Sequence, residues 1–191
     1  MHEPGAVRAD HAVPIGQVGT LGGFEGIRDR LPAIAASGVT AIELMPVNAF
    51  GGTRNWGYDG VLPYAVAEPY GSPAELKTLV DTAHGLGISV FLDVVYNHFG
   101  PDGNYLNAYA SAFFHQDIDT PWGGAVAVDA DPVHRFFVDN ALMWLRDYRI
   151  DGLRFDAVHA IANDDFLDRM AGEIRAALPE RHVHLVLENE K

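Results

Sequence analysis

The sequence predicts an α/β fold: parallel strands covered by helices, with part of a (β/α)8 TIM barrel favoured over an open doubly wound sheet. Three observations predict it. Strand and helix patterns alternate along the chain, the order that places helices over a parallel sheet. The segments 88–95 and 182–187 are near-continuous apolar runs, as expected of strands buried on both faces. The long loops, 46–72 and 97–131, both follow strands, whereas the returns from helix to strand are short. That asymmetry suits a barrel, whose site is built from loops at the C-terminal ends of its strands. No GxGxxG or P-loop pattern follows any strand, which weakens the nucleotide-binding, doubly wound form.

Residues 24–36 read as a helix with Phe24, Ile27, Leu31 and Ile34 on one face, closed by Gly38. A short strand follows at 39–44, then the loop 46–72, rich in Gly, Pro, Asn and aromatics. A second helix spans 73–86, with Pro73 in its first turn and Gly87 as its stop. The strand 88–95 leads into the loop 97–131. Val133, Phe137, Ala141, Trp144 and Tyr148 then mark a third helix. A short strand at 152–155, a fourth helix at 164–178 and a last strand at 182–187 complete the series. The whole chain, 1–191, reads as one piece of one catalytic-type barrel, with 97–131 as the long loop after its third strand.

Composition narrows the partners. The 191 residues are 48% hydrophobic, enough for one sizeable core. Net charge is −13, with 26 acidic residues against 13 basic, so nucleic acid and anionic membrane surfaces are poor partners and a neutral ligand is compatible. There is no cysteine, in keeping with a reducing compartment. The opening residues MHEPGAVRAD lack an apolar core, and no stretch is long and apolar enough to span a membrane. The expected location is cytoplasmic.

The strand ends carry the chemistry. Asp93 lies near the end of its strand, with Asn97 and His98 just beyond. Arg154 and Asp156 end another strand two residues apart and so point to one side, with His159 following. Glu188 ends the last strand. Carboxylates converging at one end of a sheet need partners, a ligand or water. Taken singly, each residue has a plainer reading. Asp93 can cap a loop, Arg154 and Asp156 can form a structural ion pair, and Glu188 can be solvated. His98 and His159 can be packed histidines, and Trp56 and Tyr58 can cover core. Their coincidence favours a sugar site, since aromatic faces stack on pyranose rings and acid pairs catalyse glycoside chemistry.

These residues resemble the α-amylase superfamily, glycoside hydrolase family thirteen. "DVVYNH" at 93–98, "GLRFDAVHA" at 152–160 and "LVLENE" at 185–190 look like three of its signatures, at its third, fourth and fifth strands and in the right order. Within that superfamily "ELMPV", "NWGYDGVLPYAV", "FGPDGNYL", "TPWG" and "DNALMWLRDYRIDGLRFDAVHAI" resemble the malto-oligosyltrehalose trehalohydrolases. The resemblance implies a retaining α-glycoside hydrolase that releases trehalose from maltooligosyl-trehalose, an α-glucan substrate, with no cofactor. A 1,4-α-glucan branching transferase is the alternative, because it would use the same acids. Residue by residue, Asp156 matches the nucleophile and Glu188 the general acid/base. Arg154 matches the arginine that keeps the nucleophile ionised. Asp93, His98 and the stacking Tyr58 match a sugar subsite, with Trp56 beside them, and His159 matches the acceptor side. Asn97 matches a calcium ligand of classical amylases, but nothing in the sequence clearly supplies the other ligands, so no metal is expected. The general acid needs an apolar or anionic setting to hold its proton.

Two departures from the family pattern stand out. The segment 12–24, AVPIGQVGTLGGF, lies where a first strand belongs but has no distinct strand pattern. The chain stops after the fifth strand, and no His-Asp dipeptide, the family's signature for its third carboxylate, occurs in it. The expectation is therefore roughly strands one to five of a barrel, from a gene fragment, a truncated product or a non-catalytic remnant. Alone, such a piece is expected to be unstable and inactive. Two edge strands would be exposed, and inward side chains such as Val90, Leu92 and Val94, or their neighbours, would lack opposite partners.

Overall fold

The structure is a computed structural model that describes residues 22–163 and 165–189. Most of the indistinct segment 12–24, and Asp164, lie outside the described residues. Four helix-covered strands form a parallel sheet: β1 (Ala41–Leu44), β4 (Ser89–Val94), β7 (Gly152–Phe155) and β8 (His184–Leu187). Their spatial order is their sequence order, each beside the next. A doubly wound sheet reverses its strand order at a switch point. These strands never reverse, so the described sheet is part of a barrel.

Helices α1 (Gly23–Ala36), α2 (Pro73–Gly85), α4 (Asp131–Asp147) and α5 (Phe166–Ala177) connect and cover the strands. α2 starts where its sequence dictates. Ser72 accepts from the Glu75 N–H, Glu75 accepts from the Ser72 N–H, and Pro73 fills the first position, a complete capping box. Alternation sorts the strand side chains. Ile42, Leu44, Val90, Leu92, Val94, Leu153 and Phe155 join the apolar core with helix residues such as Leu31, Leu79 and Phe137. The intervening residues, Glu43, Phe91, Asp93, Gly152 and Arg154, occupy the other face. Val90, Leu92 and Val94 are therefore helix-facing and buried, not inward. The edge strand β8 does leave Val186 and Leu187 exposed.

The two long loops contain structure that periodicity does not reveal. Residues 46–72 hold an antiparallel hairpin of β2 (Asn48–Phe50) and β3 (Gly60–Val66). Residues 97–131 hold the short helix α3 (Leu106–Tyr109) and a second hairpin, β5 (Phe114–Thr120) with β6 (Gly123–Val126). A buried polar junction fixes the first hairpin to the scaffold. Asn140 of α4 donates to the Pro63 carbonyl at 2.8 Å and accepts from the Tyr96 hydroxyl at 2.7 Å. Among the described residues no helix is long and apolar enough to cross a membrane.

Candidate active site

Parallel register brings three strand ends together. Asp93 of β4 sits opposite Arg154 of β7, and Phe155 sits opposite Leu187 of β8. The chain continues this pairing past the strands, with the Asp156 N–H donating to the Val94 carbonyl and the Glu188 N–H to the Phe155 carbonyl, both at 3.0 Å. Asp93, Arg154, Asp156 and Glu188 therefore share one rim, as their positions in the sequence predict.

Arg154 is the hub of that rim. One of its terminal nitrogens lies 2.5 Å from Asp93 Oδ2 and 3.2 Å from Asp156 Oδ1, and the other lies 3.2 Å from Glu188 Oε2. One cation thus serves three carboxylates. Burial works against the guanidinium charge, but Asp93 and Glu188 outweigh it and raise its pKa. The carboxylates are not all held ionised in return. Asp93 is 2% exposed, and burial pushes it up to about 7 against the pull of Tyr58 and Arg154. Asp156 is also raised. Burial is the main cause, the Arg154 charge opposes it, and the charge and hydrogen bond of Glu188 reinforce it. The sequence predicts that Arg154 favours the ionised form of Asp156. It does, but burial and a like-charged neighbour together outweigh it.

Glu188 is held at two points. Its Oε2 accepts from the Ala157 N–H at 2.7 Å and is ion-paired with Arg154 at 3.2 Å. Ala157 adopts φ 43°, ψ 50°, the left-handed region that disfavours a side chain, directly after Asp156. That turn is what aims its N–H at Glu188. Of the apolar or anionic setting expected for Glu188, the rim supplies the anionic part through Asp156, while the preceding Val186 and Leu187 are 43% and 51% exposed.

Tyr58 donates its hydroxyl to Asp93 Oδ2 at 2.7 Å, which ties the loop before β3 to the rim. Asp93 Oδ1 is buried with no hydrogen-bond partner among the described residues, an atom that calls for water or a ligand hydroxyl. Glycines let this loop close. A Cβ on Gly57, which has φ +101°, would lie 2.0 Å from the Pro46 carbonyl oxygen, and one on Gly100 equally close to that of Asp59. His98 is buried, and burial lowers its pKa. Its Nε2 is 3.0 Å from the Tyr58 carbonyl and its Nδ1 is 3.0 Å from the Asn97 amide. Both ring nitrogens are thus occupied by the protein, and reaching a sugar would require releasing one. His159 lies in the turn after Asp156 with its Nδ1 buried and unpaired among the described residues. Trp56 is not gathered in. It is 74% exposed and makes no ring contact or hydrogen bond among the described residues. Asn97 is buried beside His98, and among the described residues no group of three or more His, Cys, Asp or Glu could hold a metal ion.

Three residues at the site escape sequence reasoning. Trp122, in the hairpin turn between β5 and β6, stacks on His98 with ring centres 4.9 Å apart and planes 15° apart. Glu43 faces the rim from β1, and its charge and those of Arg154 and Asp93 are mutually felt. A carboxylate inside an apolar strand is a readable signal for Glu43. The tryptophan of "TPWG" sits in a loop pattern that nothing in its spacing ties to the strand ends. Ala157 leaves no signal, because its role lies in the backbone.

Known proteins resemble this chain in sequence and fold. The α-amylase catalytic-domain family matches residues 10–122. A malto-oligosyltrehalose trehalohydrolase of Deinococcus radiodurans is 46% identical over 167 residues, 86% of this chain. A 1,4-α-glucan branching enzyme of Pseudomonas aeruginosa is 40% identical over 164 residues, 80% of this chain. The chain spans only 28% and 21% of those two relatives. A crystal structure of a Salmonella typhimurium α-amylase candidate superposes with a TM-score of 0.89 at 47% identity, over 92% of this chain and 30% of the other. With the fold and these matches in agreement, the chain belongs to the α-amylase catalytic-domain family.

Proposed function

We propose that this chain supplies the nucleophile, the general acid/base and part of the sugar subsite of a retaining α-glycoside hydrolase that releases trehalose from maltooligosyl-trehalose. The observation that carries the reading is Arg154, one guanidinium bridging Asp93, Asp156 and Glu188 at the ends of three successive parallel strands. The 46% identity to a trehalohydrolase supports the substrate. The activity is that of a complete barrel carrying these strands, since the family's third carboxylate falls on a strand beyond them.

In this reading Asp156 attacks the anomeric carbon as the glycosidic bond breaks, and the departing oxygen takes its proton from Glu188. Glu188, now a carboxylate, removes a proton from water, which displaces Asp156 and restores both groups. Arg154 keeps the two carboxyl groups on adjacent nitrogens, and Ala157 fixes the position of Glu188. Asp93 Oδ1 is the open acceptor for a sugar hydroxyl. The identity to a branching enzyme favours transfer as the second reading, because a sugar hydroxyl in place of water gives transfer from the same intermediate.

The test is turnover of maltooligosyl-trehalose by the barrel enzyme that carries this chain. Asp156→Asn should cost about 10⁴-fold or more in kcat with KM little changed, as removal of a nucleophile does. Glu188→Gln should cost about 10²–10⁴-fold, most with poor leaving groups. Near-native rates in either variant exclude these two roles, and branched glucan in place of free trehalose favours transfer.

A further inference from the structure

An Asp-Gly pair is a place where a protein chain can attack itself. The glycine nitrogen, with no Cβ beside it, can reach the aspartate side-chain carbonyl carbon and close a five-membered ring. The sequence has three such pairs, Asp59–Gly60, Asp102–Gly103 and Asp151–Gly152, and no Asn-Gly pair. Closing the ring needs a free carboxyl group and a peptide that can turn toward it. The fold leaves both at one pair.

Asp151 is held at all its polar groups. Its carboxylate faces His84, the Val90 N–H and Arg181. Its N–H donates to the Val90 carbonyl at 2.8 Å, and its carbonyl accepts from the His184 N–H at 3.1 Å. Gly152 lies inside β7, paired with Phe91 on one side and His184 on the other. Asp59 is exposed, but its Oδ2 accepts from the Asn55 amide at 2.8 Å. The peptide after it is clamped. A Cβ on Gly60 would lie 1.4 Å from Asn48 Nδ2, and one on Gly100 would lie 2.0 Å from the Asp59 carbonyl oxygen. The Gly60 carbonyl also accepts from the Gly100 N–H at 3.0 Å.

Asp102 escapes both restraints. It and Gly103 are exposed, in a bend of the loop after β4. Among the described residues the Asp102 carboxylate makes no hydrogen bond or ion pair, and the Gly103 N–H has no acceptor. A Cβ on Gly103 would meet only the tip of Val61, at 3.7 Å, so the peptide has room to turn.

We propose that Asp102–Gly103 is a site of spontaneous isoaspartate formation in the folded protein. The Gly103 nitrogen bonds to Asp102 Cγ and gives up its proton, and a carboxyl oxygen departs as water, leaving a succinimide. Water then adds to one of the two ring carbonyls, and the nitrogen recovers a proton as its bond to that carbon breaks. Opening at Cγ restores aspartate. Opening at the main-chain carbonyl leaves the chain running through Cβ and Cγ, with the α-carboxylate as the side group. Net charge is unchanged, but the main chain gains a carbon. That carbon falls on a seam between two loops. A Cβ on Gly51, just after β2, would lie 3.0 Å from Asp102 Cβ and 3.1 Å from its carbonyl oxygen, so the two segments are packed backbone to backbone. Isomerisation breaks that packing, a few residues from the His98–Tyr58 contact. The site does not depend on the reaction proposed at the rim.

The experiment is incubation of the barrel enzyme that carries this chain in H₂¹⁸O at neutral pH, native and in urea, followed by proteolysis in ordinary water and mass spectrometry. Each closure and opening of the ring leaves an ¹⁸O atom in the residue. The native protein should take up label at Asp102 and not at Asp59 or Asp151, whereas in urea all three should be labelled. Asp102→Glu, whose longer side chain cannot close a five-membered ring, should lose the label at that position and leave the other two as they were. The isoaspartate fraction, separated by chromatography, should exchange amide hydrogens faster around residues 51 and 102 than the unmodified protein. Label in the native protein at Asp59 or Asp151 as fast as at Asp102 overturns the selection by the fold. No label at Asp102 in the native protein, whether or not urea releases it, overturns the site. Unchanged exchange in the isoaspartate fraction overturns the effect on the seam.

Discussion

The sheet carries an ionic cluster at each end, and the two are built oppositely. At the N-terminal end one carboxylate is shared among donors. Asp151 Oδ2 lies 2.7 Å from His84 Nε2 and accepts from the Val90 N–H at 2.8 Å, while Arg181 approaches its other oxygen at 3.7 Å. Arg181 also caps the Leu145 and Ile150 carbonyls, and the Asp151 carbonyl accepts from the His184 N–H at the start of β8. At the C-terminal end one cation is shared among three carboxylates, two of them pushed toward holding a proton. The first cluster is satisfied and staples helix returns to strand starts. The second is short of positive charge and left-handed at Ala157, the kind of arrangement that persists because a site requires it.

Substitutions at the two ends should therefore move stability in opposite directions. The largest effect is expected from Asp151→Ala, which removes a charged acceptor from three donors and should cost about 1.5–3 kcal/mol in urea unfolding. Asp156→Asn removes one charge from a crowded set while keeping an acceptor for Arg154. It should stabilise by about 0.5–2 kcal/mol even as it abolishes turnover. Loss of stability in Asp156→Asn as large as that in Asp151→Ala would erase the contrast.

The two ends also differ in their response to pH. The Asp93 carboxyl is raised from 3.8 to about 7 in the native state. Below the lower value both folded and unfolded chains hold the proton. Between the two values the native state keeps a proton that the unfolded chain has released, so stability falls as pH rises through that window. Asp93→Asn should flatten the fall, with the rest of the slope left by Asp156, which is shifted in the same direction. A slope of the other sign would mean that Arg154 and Tyr58 dominate Asp93 after all.

The same division decides what is legible in the sequence. The strands and their covering helices show in apolar runs and 3.6-residue spacing because burial imposes those patterns. Asp93, Arg154, Asp156 and Glu188 are legible because each interrupts or ends such a run. The hairpins are not. β3 contains Pro63, which argues against a strand, and β5 reads FHQDIDT, mostly exposed and without apolar alternation. Trp122 depends on the second hairpin and is hidden with it. The engagement of His98 by a carbonyl and an amide is a matter of distances that no spacing rule carries, and so is the exposure of Trp56.

The most direct test of the Arg154-centred rim is covalent trapping in the barrel enzyme that carries this chain. A slow fluorinated α-glucosyl fluoride would be reacted with the Glu188→Gln variant, and the labelled peptide located by mass spectrometry. The expected result is one glucosyl group, in ester linkage, on Asp156. A label on Asp93, or turnover with inversion and no label at all, would contradict the assignment.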